Sequence, residues 1–346
     1  MLFRSFTQAA ARELECIGLR TRIGLGPARP PWPQRFTYWR GGMKSEQSVS
    51  FETVMDNCDR LMSQANNGIV DYGVALSRIG NRNDHDPVWT PERDVWVRRQ
   101  AEAAAALQKK YDATFWTHMY GNAIEYTHDE NLGLLGPKTV LSHCTGISER
   151  SIAIMRETGS HAAHHPRAGR IYTYPGRCPV PELIDAGVNV ALGSDMPATH
   201  NCDMFMDMKA AIDQQRIHFK NANVLQPGKA LEMATIDGYK ALGLDGELGS
   251  VEVGKQADLI TINLRHPHLY PLDMLIYRLV YNATGNDVAD VAVAGRLVMR
   301  ERKLLTIDED EVLDNAQAVY ATFVERADLG KHSAMPKGFW GASRSA

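Results

Sequence analysis

Residues 188–195 read VNVALGSD, an apolar run rich in β-branched residues that ends in the acidic side chain of Asp195. Two earlier stretches follow the same pattern: ATFWTH (113–118) ends at His118, and TVLSH (139–143) ends at His143. Such runs predict buried parallel strands. Because the strands of a parallel barrel all end at the same rim, we expect these three polar side chains to lie close together.

Predicted strands alternate with predicted helices over residues 1–243, which is typical of a parallel sheet with right-handed crossovers. Two architectures fit this order, an open doubly wound sheet and a closed (β/α)8 barrel. No GxGxxG or GxxxxGK(S/T) motif follows the first strand, and polar residues end three strands, so the barrel is favoured. Six βα units are visible, whereas a closed barrel needs eight. The predicted strands cover residues 19–25, 69–77, 113–118, 139–143, 160–164 and 188–194.

Shorter β patterns replace the strand–helix units after residue 243. Residues 257–264 and 287–298 each predict a strand, and residues 310–326 predict an amphipathic helix. The sequence therefore divides into a partial barrel (1–243), a small β appendage (244–305) and a C-terminal helix with a tail (306–346).

Composition and charge exclude several classes of protein. Of the 346 residues, 44% are apolar and 23% are charged, so the chain can bury a sizeable core. The 38 basic and 41 acidic residues give a net charge of −3 without a basic run, which argues against a nucleic-acid partner. No apolar stretch approaches the roughly 20 residues that span a bilayer. Five widely spaced cysteines without a CxxC pair, and no signal-peptide pattern, predict a cytoplasmic location.

Each of the three strand-end residues has an ordinary structural explanation when it is taken alone. A strand-end histidine is often a hydrogen-bonded structural residue, and an aspartate there often caps the next helix. Together at one rim they indicate a metal site, because imidazole and carboxylate suit a divalent ion such as Zn²⁺. An aspartate beside such an ion can also take a proton from a water molecule.

Two longer stretches carry a family resemblance: VALGSDMPATHNCDMFMDMKAA (190–211) and ALEMATIDGYKALGLDGELGSVEVGKQADLITINL (230–264). They resemble the metal-dependent amidohydrolase superfamily, in the branch that holds triazine hydrolases, guanine-type deaminases and S-adenosylhomocysteine deaminases. The resemblance runs from about residue 9 to residue 325. It implies a (β/α)8-type TIM barrel beside a small β-sandwich, with one divalent metal ion, zinc or iron.

The resemblance also implies a role for each candidate site residue. His118 corresponds to the metal-binding histidine of the fifth barrel strand, and Asp195 to the eighth-strand aspartate that binds metal and moves protons. His143 corresponds to the sixth-strand histidine, which touches substrate or the metal-bound hydroxide, and it is also a candidate metal ligand. Either His164 or His165 lies where the seventh strand turns toward substrate. The candidate stacking surfaces for a substrate ring, which also suit simple loop packing, are Trp32, Trp39, Tyr120, Tyr172 and Tyr174.

The first departure from the family pattern concerns two metal ligands. The family carries an HxH pair on its first barrel strand, but no HxH precedes His118. The later stretch His266-Pro267-His268 is predicted to be a surface loop. We therefore expect a chain that lacks the family's N-terminal segment, with the first barrel strands and the first part of the β-sandwich missing.

This expected loss has two consequences. Unpaired sheet edges recruit other chains, which predicts aggregation or a partner that covers the gap. A site without two of its imidazole ligands predicts weak or absent metal binding. The residues that could complete the site are His164, His165 and His200.

The second departure lies just after the fifth strand. Family members read HxxE there, with the glutamate moving a proton, but Gly121 stands at that position. Glu125, one helical turn further, is the candidate replacement; a solvated helix position is its structural alternative.

The sequence favours a hydrolase that acts on non-peptide carbon–nitrogen bonds. The predicted reaction is deamination or dechlorination-type hydrolysis of a small N-heterocycle of purine, pterin, triazine or adenosyl type. The alternative is a truncated barrel that binds a ligand or partner without turnover, and a third possibility is a natural chain that begins earlier. The substrate and the oligomeric state, including a homo-oligomer, are left open.

Overall fold

The computed structural model of the protein describes residues 2–40, 42–64, 68–79, 91–174, 176–195, 201–330, 335, 339 and 340. The strands in these ranges are β1 (Thr21–Leu25), β2 (Gln34–Arg40), β3 (Met43–Val49), β4 (Val70–Arg78), β5 (Phe115–Tyr120), β6 (Thr139–Thr145), β7 (His161–His164), β8 (Val190–Leu192), β9 (Leu259–Ile262), β10 (Val288–Val293), β11 (Arg296–Arg300) and β12 (Lys303–Leu304).

Helices follow most strands of the first part of the chain. They are α1 (Leu2–Ile17), α2 (Phe51–Met62), α3 (Pro91–Tyr111), α4 (Ala123–Asp129), α5 (Glu149–Thr158), α6 (Pro166–Ile171), α7 (Val180–Asp185), α8 (Met204–Phe219), α9 (Pro227–Ala234), α10 (Ile236–Leu242), α11 (Leu275–Asn282) and α12 (Glu309–Arg326). Two 3₁₀ helices cover Pro267–Leu269 and Gly285–Asp287. Every helix in the described ranges is too short or too polar to span a bilayer.

All six predicted strands of the main sheet are confirmed. They pair in parallel in the order β1-β4-β5-β6-β7-β8, so neighbours in the sheet are also successive strands of the strand–helix pattern. This is the strand order of a (β/α) barrel rather than of a doubly wound sheet, in which the order reverses. The prediction of an α/β fold with a partial TIM barrel is confirmed.

The two faces of the main sheet carry different side chains. Phe115 and Leu141 are fully buried in the large core beneath the helices. Trp116, on the opposite face of β5, packs with Val140 and Ala191 in a small cluster inside the partial barrel. A side chain on Gly24 or Gly73 would collide with the Trp116 ring, so these glycines leave the space that the indole fills.

The main sheet is open in the described part of the chain, with β1 at one edge and β8 at the other. A cavity of about 560 Å³ lies between these edges, lined by residues such as Thr21 of β1, Ala191 of β8 and Val140 of β6. Its remaining wall comes from α9, α10 and the segment after them. The expected open edges are therefore present, and the predicted aggregation stays a prediction.

The C-terminal β appendage is a four-stranded antiparallel sheet in the order β12-β11-β10-β9. The prediction of one strand over residues 287–298 is wrong: β10 and β11 form a hairpin there. Ala294 and Gly295 both have positive φ, 48° and 79°, as a tight two-residue hairpin turn requires. The predicted boundaries at 243/244 and 305/306 fall between elements, and the division into separate units stays a prediction.

Arg20 joins the main sheet to the appendage. It stands directly before β1, and its guanidinium donates to the Gln256 side chain at 2.7 Å and to the Asp258 carboxylate at 3.0 Å. Asp258 stands directly before β9 and also accepts the Ala294 backbone N–H at 2.8 Å. One guanidinium thus holds the first strand of the main sheet to the first strand of the small one.

Two further elements lie outside the barrel pattern. The antiparallel hairpin β2–β3 was not predicted from the sequence. The predicted C-terminal helix is confirmed as α12, in which no residue is buried. The Arg326 guanidinium at its end lies over the Trp39 ring of β2, 5.0 Å from the centroid.

A methyl group at residue 26 tests how tightly the edge strand is packed. In Gly26→Ala, the new Cβ would lie 1.7 Å from the Ala75 carbonyl oxygen of β4, so the strands must move apart. We expect a loss of about 2–3 kcal/mol in the free energy of unfolding, measured by urea denaturation. In the control Gly246→Ala, nothing lies within 4 Å of the added carbon. Equal denaturation midpoints for the two variants would contradict the prediction.

Candidate active site

The three predicted site residues lie close together, at the ends of three strands. His118 of β5 and His143 of β6 approach each other with 2.6 Å between Nδ1 and Nε2. The Nε2 atom of His143 lies 3.9 Å from Oδ2 of Asp195, just after β8. The structure therefore brings together the three residues that the sequence places at the rim, while their chemical roles stay predictions.

A β-bulge turns His143 toward this site. Strict alternation would put His143 on the same face as Leu141, among the side chains buried beneath the helices. Instead, His143 and Cys144 have positive φ values of 71° and 48°, and the register with β5 skips Cys144. The imidazole then stacks on His118, with 4.7 Å between ring centroids. Backbone held in this sparsely populated region is characteristic of functional sites.

The segment after β7 is fitted closely against the segment before Asp195. The Gly193 N–H donates to the His164 carbonyl at 2.9 Å, and Asp195 itself has a positive φ of 62°. A Cβ on Gly193 would lie 2.7 Å from Nε2 of His165. The His165 ring lies 4.7 Å from that of His143, which makes it the histidine of its pair that reaches the site.

Burial keeps the site histidines neutral. The pKa of His143 is lowered to about 2, mainly by burial and to a smaller extent by the neighbouring His165 and His118. Burial likewise lowers the pKa of His164 and of His165 to about 3 each. The pKa of His118 is also lowered, chiefly by burial and against the opposing effect of Asp195. Neutral imidazoles carry the free lone pair that a metal ligand or proton acceptor needs.

The donor set fits a divalent ion of the zinc class. Two imidazoles and one carboxylate converge, and these are ligand types that Zn²⁺ takes. The Nδ1 atom of His143 is buried and has no hydrogen-bond partner among the described residues. Buried polar atoms left in this state point to a missing ligand or water.

Aromatic side chains line one side of the three residues. Tyr120 stacks on the His143 ring at 5.1 Å, and Tyr174 meets both rings edge-on at 5.3 and 5.0 Å. Tyr172 stacks behind Tyr174 at 5.7 Å. We call Tyr120, Tyr172 and Tyr174 the tyrosine wall. Of the five candidate stacking residues, these three lie at the site, whereas Trp32 packs edge-on against Phe51 and Trp39 lies under Arg326.

A sequence profile of the Amidohydrolase family matches residues 94–298, more than half of the chain. The chain belongs to the amidohydrolase family.

Curated relatives of this amidohydrolase include enzymes of two kinds. A 5-methylthioadenosine/S-adenosylhomocysteine deaminase of Syntrophobacter fumaroxidans is 39% identical over 196 residues, 56% of this chain and 44% of its own length. A 5′-deoxyadenosine deaminase of Methanosarcina mazei is 33% identical over 210 residues, 60% of this chain and 48% of its own. An S-triazine hydrolase of Gordonia rubripertincta is 36% identical over 213 residues, 60% of this chain and 44% of its own. The chain spans about half the length of these relatives.

Solved structures share the fold of this amidohydrolase. An adenosine deaminase from Xanthomonas campestris with bound zinc gives a TM-score of 0.75 at 23% identity, covering 90% of this chain and 68% of that one. A mutant atrazine chlorohydrolase from Arthrobacter aurescens, complexed with zinc and atraton, gives 0.73 at 20% identity, covering 91% and 69%. These likenesses support the partial barrel with its antiparallel appendage.

The position of the family's glutamate is altered in the backbone as well as in the sequence. Gly121 has a positive φ of 51°, which L side chains rarely adopt, so a glutamate there would be strained. Glu125 of α4 accepts hydrogen bonds from Ser148 and Ser151 at the start of α5. This contact gives Glu125 a structural role at a helix N-terminus, and its part in proton transfer stays a prediction.

The HxH stretch of this amidohydrolase lies beside the small sheet. His266 and His268 flank Pro267, which begins a 3₁₀ helix after β9, and both side chains are partly exposed. His200, a candidate to complete the metal site, lies outside the described residues.

Proposed function

We propose that this amidohydrolase chain catalyses the hydrolytic deamination, or a related hydrolysis, of a small N-heterocycle of adenosyl or triazine type. The convergence of His118, His143 and Asp195 at one rim carries the proposal. The names of the curated relatives, deaminases and an S-triazine hydrolase, support the same reaction class. They offer no support for a barrel without turnover.

His118, Asp195 and His143 would hold one divalent ion, for which zinc is supported by two solved neighbours that contain it. When bound, such an ion supplies Lewis acidity and makes water a nucleophile near neutral pH. His118, His143 and Asp195 supply three protein donors, whereas closed zinc sites have four. Weak metal binding therefore stays a prediction.

Asp195 is the proton carrier in the proposed reaction. Its carboxylate faces the His143 imidazole at 3.9 Å and is accessible from the rim, so it can take a proton from the attacking water and pass it to the leaving amine. His143 is neutral, since burial lowers its pKa to about 2, and can polarise the substrate through a hydrogen bond.

The tyrosine wall would bind the flat face of the heterocycle. Tyr120 and Tyr174 meet edge to face, an arrangement in which one ring can support a stacked ligand while the other fixes its tilt. The His165 ring lies beside that of His143, 4.7 Å away, and would line another side of the ligand. Flat N-heterocycles fit these surfaces better than extended or aliphatic substrates do. A cytoplasmic location and a homo-oligomer stay predictions.

Turnover by the zinc-loaded full chain tests the proposed function. We expect ammonia release from at least one of 5′-methylthioadenosine, S-adenosylhomocysteine and 5′-deoxyadenosine, or amine or chloride release from a substituted triazine. Ammonia and chloride are measured separately, so the two substrate types are distinguished. If folded, zinc-loaded protein turns over none of these compounds, the proposed function is wrong.

A substitution beside the site tests the role of His165. In Gly193→Ala the new Cβ would lie 2.7 Å from the His165 ring, which must move away while the fold stays intact. Because small misplacements of site groups are costly, we expect kcat/KM to fall by about 10- to 100-fold. The control Gly228→Ala adds its carbon to open space in α9 and should keep full activity. Unchanged kcat/KM in Gly193→Ala would show that His165 does not contribute.

A further inference from the structure

A second group of metal-ligating side chains lies outside the barrel site. His266, His268 and Asp287 each offer one ligand atom, and these atoms lie within 4.8 Å of one another. His266 is the N-cap residue of the 3₁₀ helix after β9, His268 lies within that helix, and Asp287 ends the 3₁₀ helix before β10. We call these three residues the appendage cluster.

The two histidine–carboxylate distances in the appendage cluster are close to those between ligand atoms of a tetrahedral zinc site. Nδ1 of His266 lies 3.4 Å from Oδ1 of Asp287, and Nε2 of His268 lies 3.1 Å from the same oxygen. Ligand atoms bound at about 2.0–2.1 Å to one tetrahedral ion stand about 3.4 Å apart. Only small side-chain adjustments are therefore needed for the three atoms to share an ion.

The Asp287 carboxylate of the appendage cluster is held in position by hydrogen bonds from Thr284. Asp287 is 2% exposed, and its Oδ2 accepts the Thr284 N–H at 2.8 Å and the Thr284 hydroxyl at 3.2 Å. These bonds orient the carboxylate toward the histidines, in the way that outer contacts orient metal ligands, and Nε2 of His268 lies 3.1 Å from each of its oxygens. The two imidazoles are 37% and 44% exposed, so an ion can enter from solvent.

The histidine pair is also held in position. Pro267 restricts the backbone between the two imidazoles, and the neighbouring Leu269 is 1% exposed and anchors the 3₁₀ helix to the core. The ring planes lie at 72° to each other with 5.5 Å between centroids, so the rings are not stacked and both present nitrogen toward Asp287. Two imidazoles and one anchored carboxylate form a facial three-ligand set with an open side.

We propose that His266, His268 and Asp287 bind one zinc-class divalent ion at a site separate from the barrel mouth. The ion would join the segments that precede and follow α11. The second segment also donates the Gly285 N–H to the carboxylate of Asp203, the N-cap of α8, at 2.8 Å. The proposal is independent of the reaction at the barrel site.

Zinc content provides the first test, with equilibrium dialysis of the full chain against Zn²⁺. We expect His266→Gln to bind zinc at this site at least about tenfold more weakly than the parent, and so to hold at least about 0.4 equivalent less at the free zinc concentration that half-saturates the parent's site. The matched control is His128→Gln: His128 also contacts a carboxylate, Oδ1 of Asp129 at 3.1 Å, but without a second imidazole. Equal zinc content in parent and His266→Gln would overturn the proposal.

Site-resolved labelling of the parent protein gives a second readout. Diethyl pyrocarbonate modifies accessible imidazoles, and peptide mass spectrometry locates the label. We expect Zn²⁺ to suppress labelling of His266 and His268 at least fivefold while His128 labels at the same rate with and without zinc. Persistent protection in a His118→Asn variant would separate this site from the barrel site. Unchanged labelling of His266 in the presence of Zn²⁺ would refute the site.

Discussion

Asp195→Asn should lower kcat/KM by about 10³-fold with the fold retained, which is the loss typical of removing a general base. The amide has nearly the shape of the carboxylate, but it cannot accept a proton from water and is a poorer ligand for a divalent ion. The residue also sits in a left-handed conformation that asparagine tolerates better than most residues do. The measurement is steady-state turnover of the substrate found active with the parent.

An exposed aspartate provides the control for this result. Asp185 ends α7 on the surface, so Asp185→Asn changes the net charge equally without touching the rim. This variant should keep the kcat/KM of the parent. If Asp195→Asn is as active as Asp185→Asn, Asp195 is not the proton carrier and the proposed mechanism fails.

Phe115→Ala should lower the free energy of unfolding by about 3–5 kcal/mol. The Phe115 ring is 0% exposed and belongs to the large core between the main sheet and its helices. Truncation removes the ring from an apolar environment and leaves a cavity that the two rigid layers close only in part. The effect is measured as the shift in the urea denaturation midpoint, with the slope of the transition unchanged.

A substitution at an exposed leucine is the control, because it removes apolar side-chain atoms that are not buried. Leu313 of α12 is 60% exposed, so Leu313→Ala should change the free energy of unfolding by less than about 0.5 kcal/mol. Comparable midpoint shifts in the two variants would mean that Phe115 does not anchor the core.

The main sheet could be predicted from the sequence because each strand is a short apolar run bounded by turn or cap residues. Ser148, for example, caps α5 by accepting the Ser151 N–H, as the residue type suggests. The rim position of His118 and Asp195 followed from the rule that parallel strands end on one side. Local pattern and topology were enough for these features.

Other features depend on contacts that no local pattern encodes. The hairpin of β10 and β11 turns at Ala294, a residue with no strong preference for a positive φ, so residues 287–298 resembled one strand. The inward turn of His143 comes from the bulge at Cys144, which period-2 reasoning cannot anticipate. In both places tertiary packing overrides the local preference.

The site was only partly predictable for the same reason. The sequence could not decide between His164 and His165, since which ring reaches the rim depends on where β7 ends and on the space that Gly193 leaves. Tyr174 was one of several aromatic candidates, and its contact with His143 becomes evident only once the loop after α6 is folded. The hydrogen bonds of Glu125 to α5 likewise depend on how two helices pack.

The Arg20 contact has a consequence for how the molecule unfolds. Arg20 stands directly before β1, and its guanidinium donates to Gln256 and Asp258 before β9, which are 236 and 238 positions away in the chain. Separating the two sheets would expose this partly buried pair, so unfolding of either sheet removes an ion pair from the other. The contact therefore predicts that the barrel strands and the appendage unfold together, and native-state hydrogen exchange should then report a common opening for β1 and β9.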